Sequence, residues 1–145
     1  MIRTTLFAAL VLTPIFPMAA EKVAGQDVFQ MNEQSVPVSP GVVFWSMQNR
    51  GETTITEGPL AVASVECHGS GFWKAGDQRG EGVCIYGEGA DTFVQVWKIE
   101  PFGEATWRIA SASGKFAGLT GRGKSASRTE GGRRVSDWVG EVEMP

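Results

Sequence analysis

The sequence predicts an all-β protein, and a small antiparallel barrel of about seven or eight strands fits it best. Nineteen glycines and five tryptophans occur in 145 residues, and few windows have the apolar spacing of an amphipathic helix. Many apolar segments carry large residues on both faces, as where Val94 and Val96 alternate with Phe93, Trp97 and Ile99. A closed wall with a filled or partly filled interior explains this better than a sheet with one buried face. An immunoglobulin-like β-sandwich is the alternative, although its Cys–Trp–Cys spacing is absent.

The strands are predicted from apolar runs that recur between glycine-containing turns. Residues 105–109 show the clearest alternation, since Ala105, Trp107 and Ile109 are separated by Thr106 and Arg108. Turn residues occur at 74–77, 87–90, 101–103 and 130–132. The predicted strands are 42–48, 60–69, 80–87, 91–100, 105–109, 122–129 and 133–143, with 23–31 as a further candidate.

Residues 1–20 have the layout of a secretory signal peptide. Arg3 precedes an apolar run over residues 6–16, and Ala19 and Ala20 precede the charged Glu21. The run is too short to span a bilayer, and no second long apolar run follows. We therefore expect residues 21–145 to form one soluble domain without a membrane span, in the periplasm or secreted.

The charge balance argues against nucleic acid as a partner. The 13 Lys and Arg residues fall to 12 without Arg3, against 16 Asp and Glu, which leaves the predicted domain acidic. Six cations lie in residues 115–134 with Glu130 as the only carboxylate. A solvated edge strand and hairpin tip explains this stretch, and contact with an anionic ligand or surface is the alternative.

The two cysteines, Cys67 and Cys84, are equidistant from a turn at Ala75-Gly76, so a simple hairpin places them opposite each other. Such a pair falls within disulfide range, and the bond would contribute about 3 kcal/mol. A metal site would need further ligands, and His68 is the only histidine. The same register places Glu66 and His68 together on the sheet face opposite the disulfide.

Several short motifs occur in a characteristic order: Cys-x-Gly at 67–69, Gly-x-Cys at 82–84, Phe-x-x-x-Trp at 93–97, and SGKFAGLTGRG at 113–123. This order resembles a group of small secreted bacterial proteins that end in a GTGKFAGITGxG-type segment. The segment is also similar to that of barrels in the allene oxide cyclase and dirigent class, which are calycin-like. The resemblance covers roughly residues 60–143 and implies a barrel, with trimerisation and a cyclase or isomerase activity as further implications of the cyclase likeness.

Residues 118–125 match the G-x-x-x-x-G-K-S pattern of a phosphate-binding loop. That loop requires a helix after it, whereas residues 126–132 contain serine, arginine and two glycines and cannot form an amphipathic helix. We therefore expect no nucleotide partner and no other cofactor, and interpret the glycines as turn positions or places of close backbone approach.

The candidate site residues are few. Glu66 and His68 are the only plausible acid–base pair, and a polar pair on the outer surface is the alternative. Glu88 and Asp91 are candidate ligands for a calcium ion at a turn, although the acid-rich turn of the resembling group, Asp-x-Asp-Gly-Asp, has only these two carboxylates here. In a barrel of this size, aromatic side chains can line a cavity for one small guest. The candidate ligand-binding residues are Phe93, Trp97, Trp107 and Trp138.

Three functional hypotheses follow. The first is an exported barrel that binds a small apolar or amphipathic molecule without catalysis. The second is a cyclase or isomerase-type enzyme in which the barrel enforces the substrate conformation and Glu66 or His68 assists proton movement. The third is a structural or interaction domain with a packed core, which uses its basic stretch on an anionic surface.

Overall fold

The computed structural model describes residues 19–100 and 104–144, which contain nine β-strands and one short 3₁₀ helix, η1. Most of the predicted signal peptide and the turn at 101–103 lie outside the described residues. No helix among the described residues is long and apolar enough to cross a membrane. The elements are β1 (Glu21–Gln30), β2 (Glu33–Ser39), β3 (Val42–Glu57), β4 (Ser64–Lys74), β5 (Asp77–Glu88), β6 (Asp91–Ile99), β7 (Ala105–Ala112), η1 (Gly114–Phe116), β8 (Thr120–Glu130) and β9 (Arg133–Glu143).

Eight strands close into an antiparallel barrel. From β3 to β9 each strand pairs with the next one in the chain, and β1 completes the wall by pairing with both β9 and β3. The long strand β3 serves two partners, because its second half pairs with β1 and its first half pairs with β2. Strand β2 is therefore a ninth strand that continues along β3 outside the closed wall. The predicted all-β barrel is confirmed.

The predicted hairpin around the cysteines has the expected register. Cys67 lies opposite Cys84, Glu66 opposite Ile85 and His68 opposite Val83. The two sulfurs are bonded across the β4–β5 pair, with 4.0 Å between the two Cα atoms. Both cysteines are buried and belong to the core, so the disulfide faces the barrel interior. Because side chains alternate along a strand, Glu66 and His68 lie on the outer surface.

One end of the barrel is filled by apolar side chains. Helix η1 follows β7 and buries Phe116, which contacts the ring of Phe93 edge-on at a centroid distance of 5.3 Å. Leu60, from the connection between β3 and β4, and Leu119 are buried in the same core cluster. Sequence analysis assigned residues 60–63 to a strand, whereas they form this connection and β4 begins at Ser64.

Interior tryptophans lie against pairs of glycines on neighbouring strands. A Cβ atom added at Gly80 would lie 2.3 Å from Cζ2 of Trp45, and one added at Gly82 would lie 2.4 Å from Cζ2 of Trp97. Gly69 and Gly71 on β4 complete these two contacts. Trp107 lies in the same way against Gly123 and Gly140. Each indole therefore occupies space that a side chain on the adjacent strands would fill.

The segment that matches the phosphate-binding-loop pattern belongs to this arrangement. Gly118 has a positive φ of 85° and lies in the turn before β8, whereas Gly121 and Gly123 are in the extended strand. Gly123 is one of the two glycines beneath Trp107. Gly118 is therefore a turn glycine, whereas Gly123 allows close approach of the Trp107 ring, and each of the two predicted explanations applies to one of them.

Candidate functional site: a cavity inside the barrel

A cavity of about 200 Å³ lies inside the barrel. All eight strands of the closed wall contribute to its lining. At its inner end the lining side chains Asp27, Cys67, Tyr86 and Trp138 are buried. At the other end Ile99, Thr129 and Arg134 are exposed or half-buried, near the turns that follow β4 and β8. The cavity therefore opens at the end opposite the apolar side chains that fill the barrel around Phe116.

The lining on β3 to β6 is rich in aromatic rings and sulfur. The indole rings of Trp45 and Trp97 lie nearly parallel, with 6.4 Å between centroids and 8° between planes. Met47 and the disulfide between Cys67 and Cys84 form the adjoining wall. Flat, polarisable surfaces of this kind favour apolar or planar guests.

The lining on β8, β9 and β1 supplies most of the hydroxyl and charged groups. Ser125, Ser127 and Thr129 come from β8, and Arg134 and Ser136 come from β9. The hydroxyls of Ser127 and Ser136 are 3.1 Å apart and hydrogen-bonded. The cavity is therefore amphipathic, with its polar groups concentrated on one arc of the wall.

Asp27 of β1 is the buried carboxylate of the cavity, with 3% of its surface exposed. It accepts hydrogen bonds from the Tyr86 hydroxyl at 2.8 Å and from Nε1 of Trp138 at 3.0 Å. Burial raises the pKa of Asp27 above its ordinary value, although hydrogen bonds from its neighbours oppose the shift. Burial also raises the pKa of Tyr86, so its hydroxyl remains a donor to Asp27.

Three buried N–H donors of residues that line the cavity lack a hydrogen-bond partner among the described residues. They are Nε1 of Trp45, Nε1 of Trp97 and Nε of Arg134. The guanidinium of Arg134 also pairs with Glu33 through Nη2 at 2.9 Å. Each of these atoms has almost no surface accessible to water, so they belong to the packed wall and do not face the cavity space.

The four aromatic residues predicted to bind ligand lie in two positions. Trp97 and Trp138 line the cavity. Phe93 and Trp107 are buried in the adjoining core instead, where each supports a lining residue. Phe93 stacks on Tyr86 at a centroid distance of 4.8 Å, and Trp107 meets Trp138 edge-on at 6.1 Å.

The predicted acid–base pair forms a cluster on the outside of the wall. Nε2 of His68 lies 2.8 Å from Oε1 of Glu66, and Nε of Arg50 lies 2.9 Å from the other carboxylate oxygen. Hydrogen bonds from Gln48 and Arg50 lower the pKa of Glu66. Neither Glu66 nor His68 lines the cavity. The structure therefore separates the sequence-predicted acid–base pair from the enclosed space.

The turn between β5 and β6 contains Glu88 and Asp91. Oδ1 of Asp91 accepts the backbone N–H of Lys115 at 3.0 Å, which ties the turn to η1. Within the described ranges, no group of three or more His, Cys, Asp or Glu side chains could hold a metal ion.

Three of the six cations in residues 115–134 form ion pairs in the described part of the chain, and the third of them is Arg134 with Glu33. Lys124 pairs with Glu104 at 2.9 Å. Arg128 pairs with Glu130 and Asp137 on the outer face of the β8–β9 hairpin. This pairing agrees with a solvated hairpin and leaves less charge for an anionic surface.

Sequence analysis missed the polar residues of the cavity. Asp27, Asn49, Gln95 and Ser136 are buried lining residues, and Asn49 is only 1% exposed. A signal for Asp27 is present in the sequence, because Val23, Gly25, Asp27 and Phe29 alternate along one face of β1. A carboxylate on an otherwise apolar strand face marks a buried polar site.

No protein-family model matches this chain, and no curated protein matches it in sequence. Solved structures match in fold. One is described as the structure of the pterocarpan synthase dirigent protein GePTS1, with a TM-score of 0.53 over 97% of this chain and 99% of that chain. This chain shares the fold of a dirigent protein. Sequence identity is 10%, so the similarity concerns the barrel and carries no assignment of chemistry.

Proposed function

We propose that this protein binds one small, planar, amphipathic molecule inside the barrel and does not transform it. The observation that carries the proposal is the cavity of about 200 Å³, with parallel indoles on one part of its wall and buried hydroxyl and carboxyl groups on another. A dry cavity of about 150 Å³ is large enough for benzene. The volume therefore suits a guest of about one substituted aromatic ring.

The arrangement of polar groups suggests how such a guest would bind. Asp27 lies at the inner end, and its carboxylate oxygens can accept a hydrogen bond from a hydroxyl on the guest. The ring itself would rest against indole and disulfide surfaces. We infer a phenol-like head as the simplest chemistry that meets both features.

A cyclase or isomerase-type reaction is the second candidate, and Asp27 is the observation that favours it. A buried carboxyl with a raised pKa, at the inner end of an enclosed cavity, can hold a proton and pass it to a bound substrate. In this candidate Asp27 takes the role that sequence analysis gave to Glu66 or His68. The two candidates differ in whether the bound molecule is recovered unchanged.

Tryptophan fluorescence tests binding. The Trp73→Phe variant removes a half-exposed indole that would add background signal. We expect titration with 4-methylphenol to give a saturable shift or quench, because the remaining lining indoles change environment. The cavity-filling variant Ser136→Leu should weaken this response, whereas Val139→Leu, on the exposed outer side of β9, should not. An unsaturable response to every ring-sized probe would refute the proposal.

We also propose that residues 1–20 direct export and are removed. A disulfide forms and persists in oxidising compartments, which supports an exported mature domain over residues 21–145. Intact mass of the exported, unreduced protein would test both points. The expected chain begins near Glu21 and carries no free thiol.

A further inference from the structure

Two hairpins extend beyond the open end of the cavity. Pairing between β5 and β6 ends at Gly80 and Ile99, but β4 and β5 remain paired to Lys74 and Asp77. On the other side, β3 pairs with β2 instead of β1 from Met47 to Val42. Strands β2 to β5 therefore form a four-stranded ribbon that continues past the neighbouring wall strands.

One face of this ribbon continues the cavity wall. Trp45 and Gln78 line the cavity, and Gly71 lies opposite Trp45 on the same face. Trp73 is two residues further along β4, about 7 Å away, with the same orientation because side chains alternate. Val43 and Gln78 are its cross-strand partners on this face. The apolar surface of the cavity thus extends outward over Val43 and Trp73.

The indole of Trp73 is exposed and is not covered by another aromatic ring of the ribbon. Trp73 is 57% exposed and stacks on no other ring among the described residues. On the opposite face, Phe72 is 49% exposed but meets Phe44 edge-on at 5.4 Å, and Val36 is paired with Phe44. The outward face therefore carries a pair of contacting rings, whereas the face that continues the cavity carries one exposed indole without a ring partner.

We propose that the guest carries an apolar tail that leaves the cavity and lies along Val43 and Trp73. The ligand class would then be an alkyl-substituted aromatic molecule, with its polar head towards Asp27 and its tail on the ribbon. This inference rests on the proposed function, because it extends the same cavity. Its physical basis is continuity, because the tail would leave water by covering the exposed Trp73 indole, which lies on the same strand face as the cavity lining.

A homologous series of phenols tests the tail. Calorimetric titration with 4-methylphenol, 4-pentylphenol and 4-nonylphenol would measure affinity against tail length for the wild type and two variants, since Trp73 lies eight residues along β4 from the partner of Tyr86. Because a methylene on an open face is covered on one side only, we expect affinity to rise by up to about fourfold for each methylene that reaches the ribbon. Trp73→Ala should flatten this dependence. Phe72→Ala is the matched control, since it removes a similarly exposed ring from the other face of the same strand and should retain the dependence.

The outcomes separate the two proposals. If 4-methylphenol binds but longer tails bring no gain, or if Trp73→Ala keeps the wild-type dependence, the tail site is refuted and the cavity proposal stands. If 4-methylphenol does not bind at all, both fail. Unchanged thermal unfolding of Trp73→Ala would show that the variant is folded. Val43→Ser, on the same face of β3, provides a second variant and should also flatten the dependence.

Discussion

Tryptophan and glycine act as matched partners in the interior of this barrel. Trp45 requires the absence of a side chain at Gly71 and Gly80, and Trp97 requires it at Gly69 and Gly82. This pairing explains why many strand glycines have ordinary extended backbones and lie far from any turn. Their function is to leave space for a ring, so substituting them tests packing and not backbone strain.

We predict that Gly80→Ala lowers the free energy of unfolding by about 1–3 kcal/mol, because the new Cβ would lie within the space of the Trp45 ring. Urea denaturation would measure the change. Trp45→Phe in the Gly80→Ala background should recover part of the loss, since the smaller ring vacates the contact. Glu81→Ala, on the outer face beside it, should change stability by less than about 0.5 kcal/mol. Equal losses of unfolding free energy in Gly80→Ala and Glu81→Ala would contradict the close packing of Trp45 against Gly80.

Asp27 gives the stability of the barrel a distinctive pH dependence. Burial raises its folded-state pKa, so the folded protein holds a proton that the unfolded chain releases at a lower pH. The stability that this proton contributes is complete below the ordinary carboxyl pKa and is lost as the pH rises through the raised value.

The Asp27→Asn variant isolates the contribution of this proton to stability. Asparagine has no titrating proton, so the variant should gain stability relative to the wild type as the pH rises from about 4 to about 8. Chemical denaturation at several pH values would measure this. The comparison is needed because Asp137, whose pKa is lowered by hydrogen bonding with Gln26, gives the wild type the opposite slope. A difference that does not vary with pH would contradict a raised pKa.

The aromatic residues of the interior could be identified from the sequence, but their positions along the barrel axis could not. Phe93, Trp97, Trp107 and Trp138 were all candidates, yet only Trp97 and Trp138 line the cavity. The distinction depends on position along the barrel axis, because Phe93 lies towards the filled end. Alternation along a strand fixes which face a residue occupies. Alternation does not determine how far that residue lies from the filled end of the barrel.

At the scale of elements, the β4–β5 hairpin was the most predictable part of the chain. The cysteines are symmetrical about one turn, and this symmetry fixed the register from Val65 to Lys74. The disulfide also forms part of the cavity wall. The hairpin therefore contributes a cross-link that stabilises the fold and also forms part of the candidate site.

We predict that Cys67→Ala with Cys84→Ala lowers the free energy of unfolding by about 3 kcal/mol, as expected for a cross-link between residues separated by 17 positions. Urea denaturation with and without a reducing agent would measure the effect. The reductant should destabilise the wild type and leave the double variant unchanged. A reductant effect of similar size on both proteins would mean that the loss does not come from the bond.

Strand β2 and the second half of β3 were the elements that sequence patterns did not predict. Every residue of β2 is exposed and Pro37 lies at its centre, so the strand carries no buried apolar face to reveal it. The second half of β3 is polar, with Gly51 and Thr53 facing the interior. These segments become strands because neighbouring edges pair with them, which is a tertiary effect and leaves little trace in local sequence.

At the scale of the whole molecule, closure depends on β1. This strand bonds to β9 on one side and to β3 on the other, so it removes two sheet edges at once. It also carries Asp27, which reaches Tyr86 of β5 across the interior and Trp138 of the neighbouring β9. The candidate site therefore exists only when the first strand has joined the last, a contact between residues more than 100 positions apart in sequence.

Hydrogen exchange should distinguish the closing strand from the extra strand. Amides of β1 are bonded on both sides of the strand, so we expect them to exchange only through opening of the whole barrel. Strand β2 bonds only to β3, and its outward amides should exchange at nearly unprotected rates. In Asp27→Asn, closure should be retained and the pattern should persist. If β1 instead exchanged as fast as β2, the wall would open locally at this strand, and a cavity that relies on Asp27 could not hold a guest out of water.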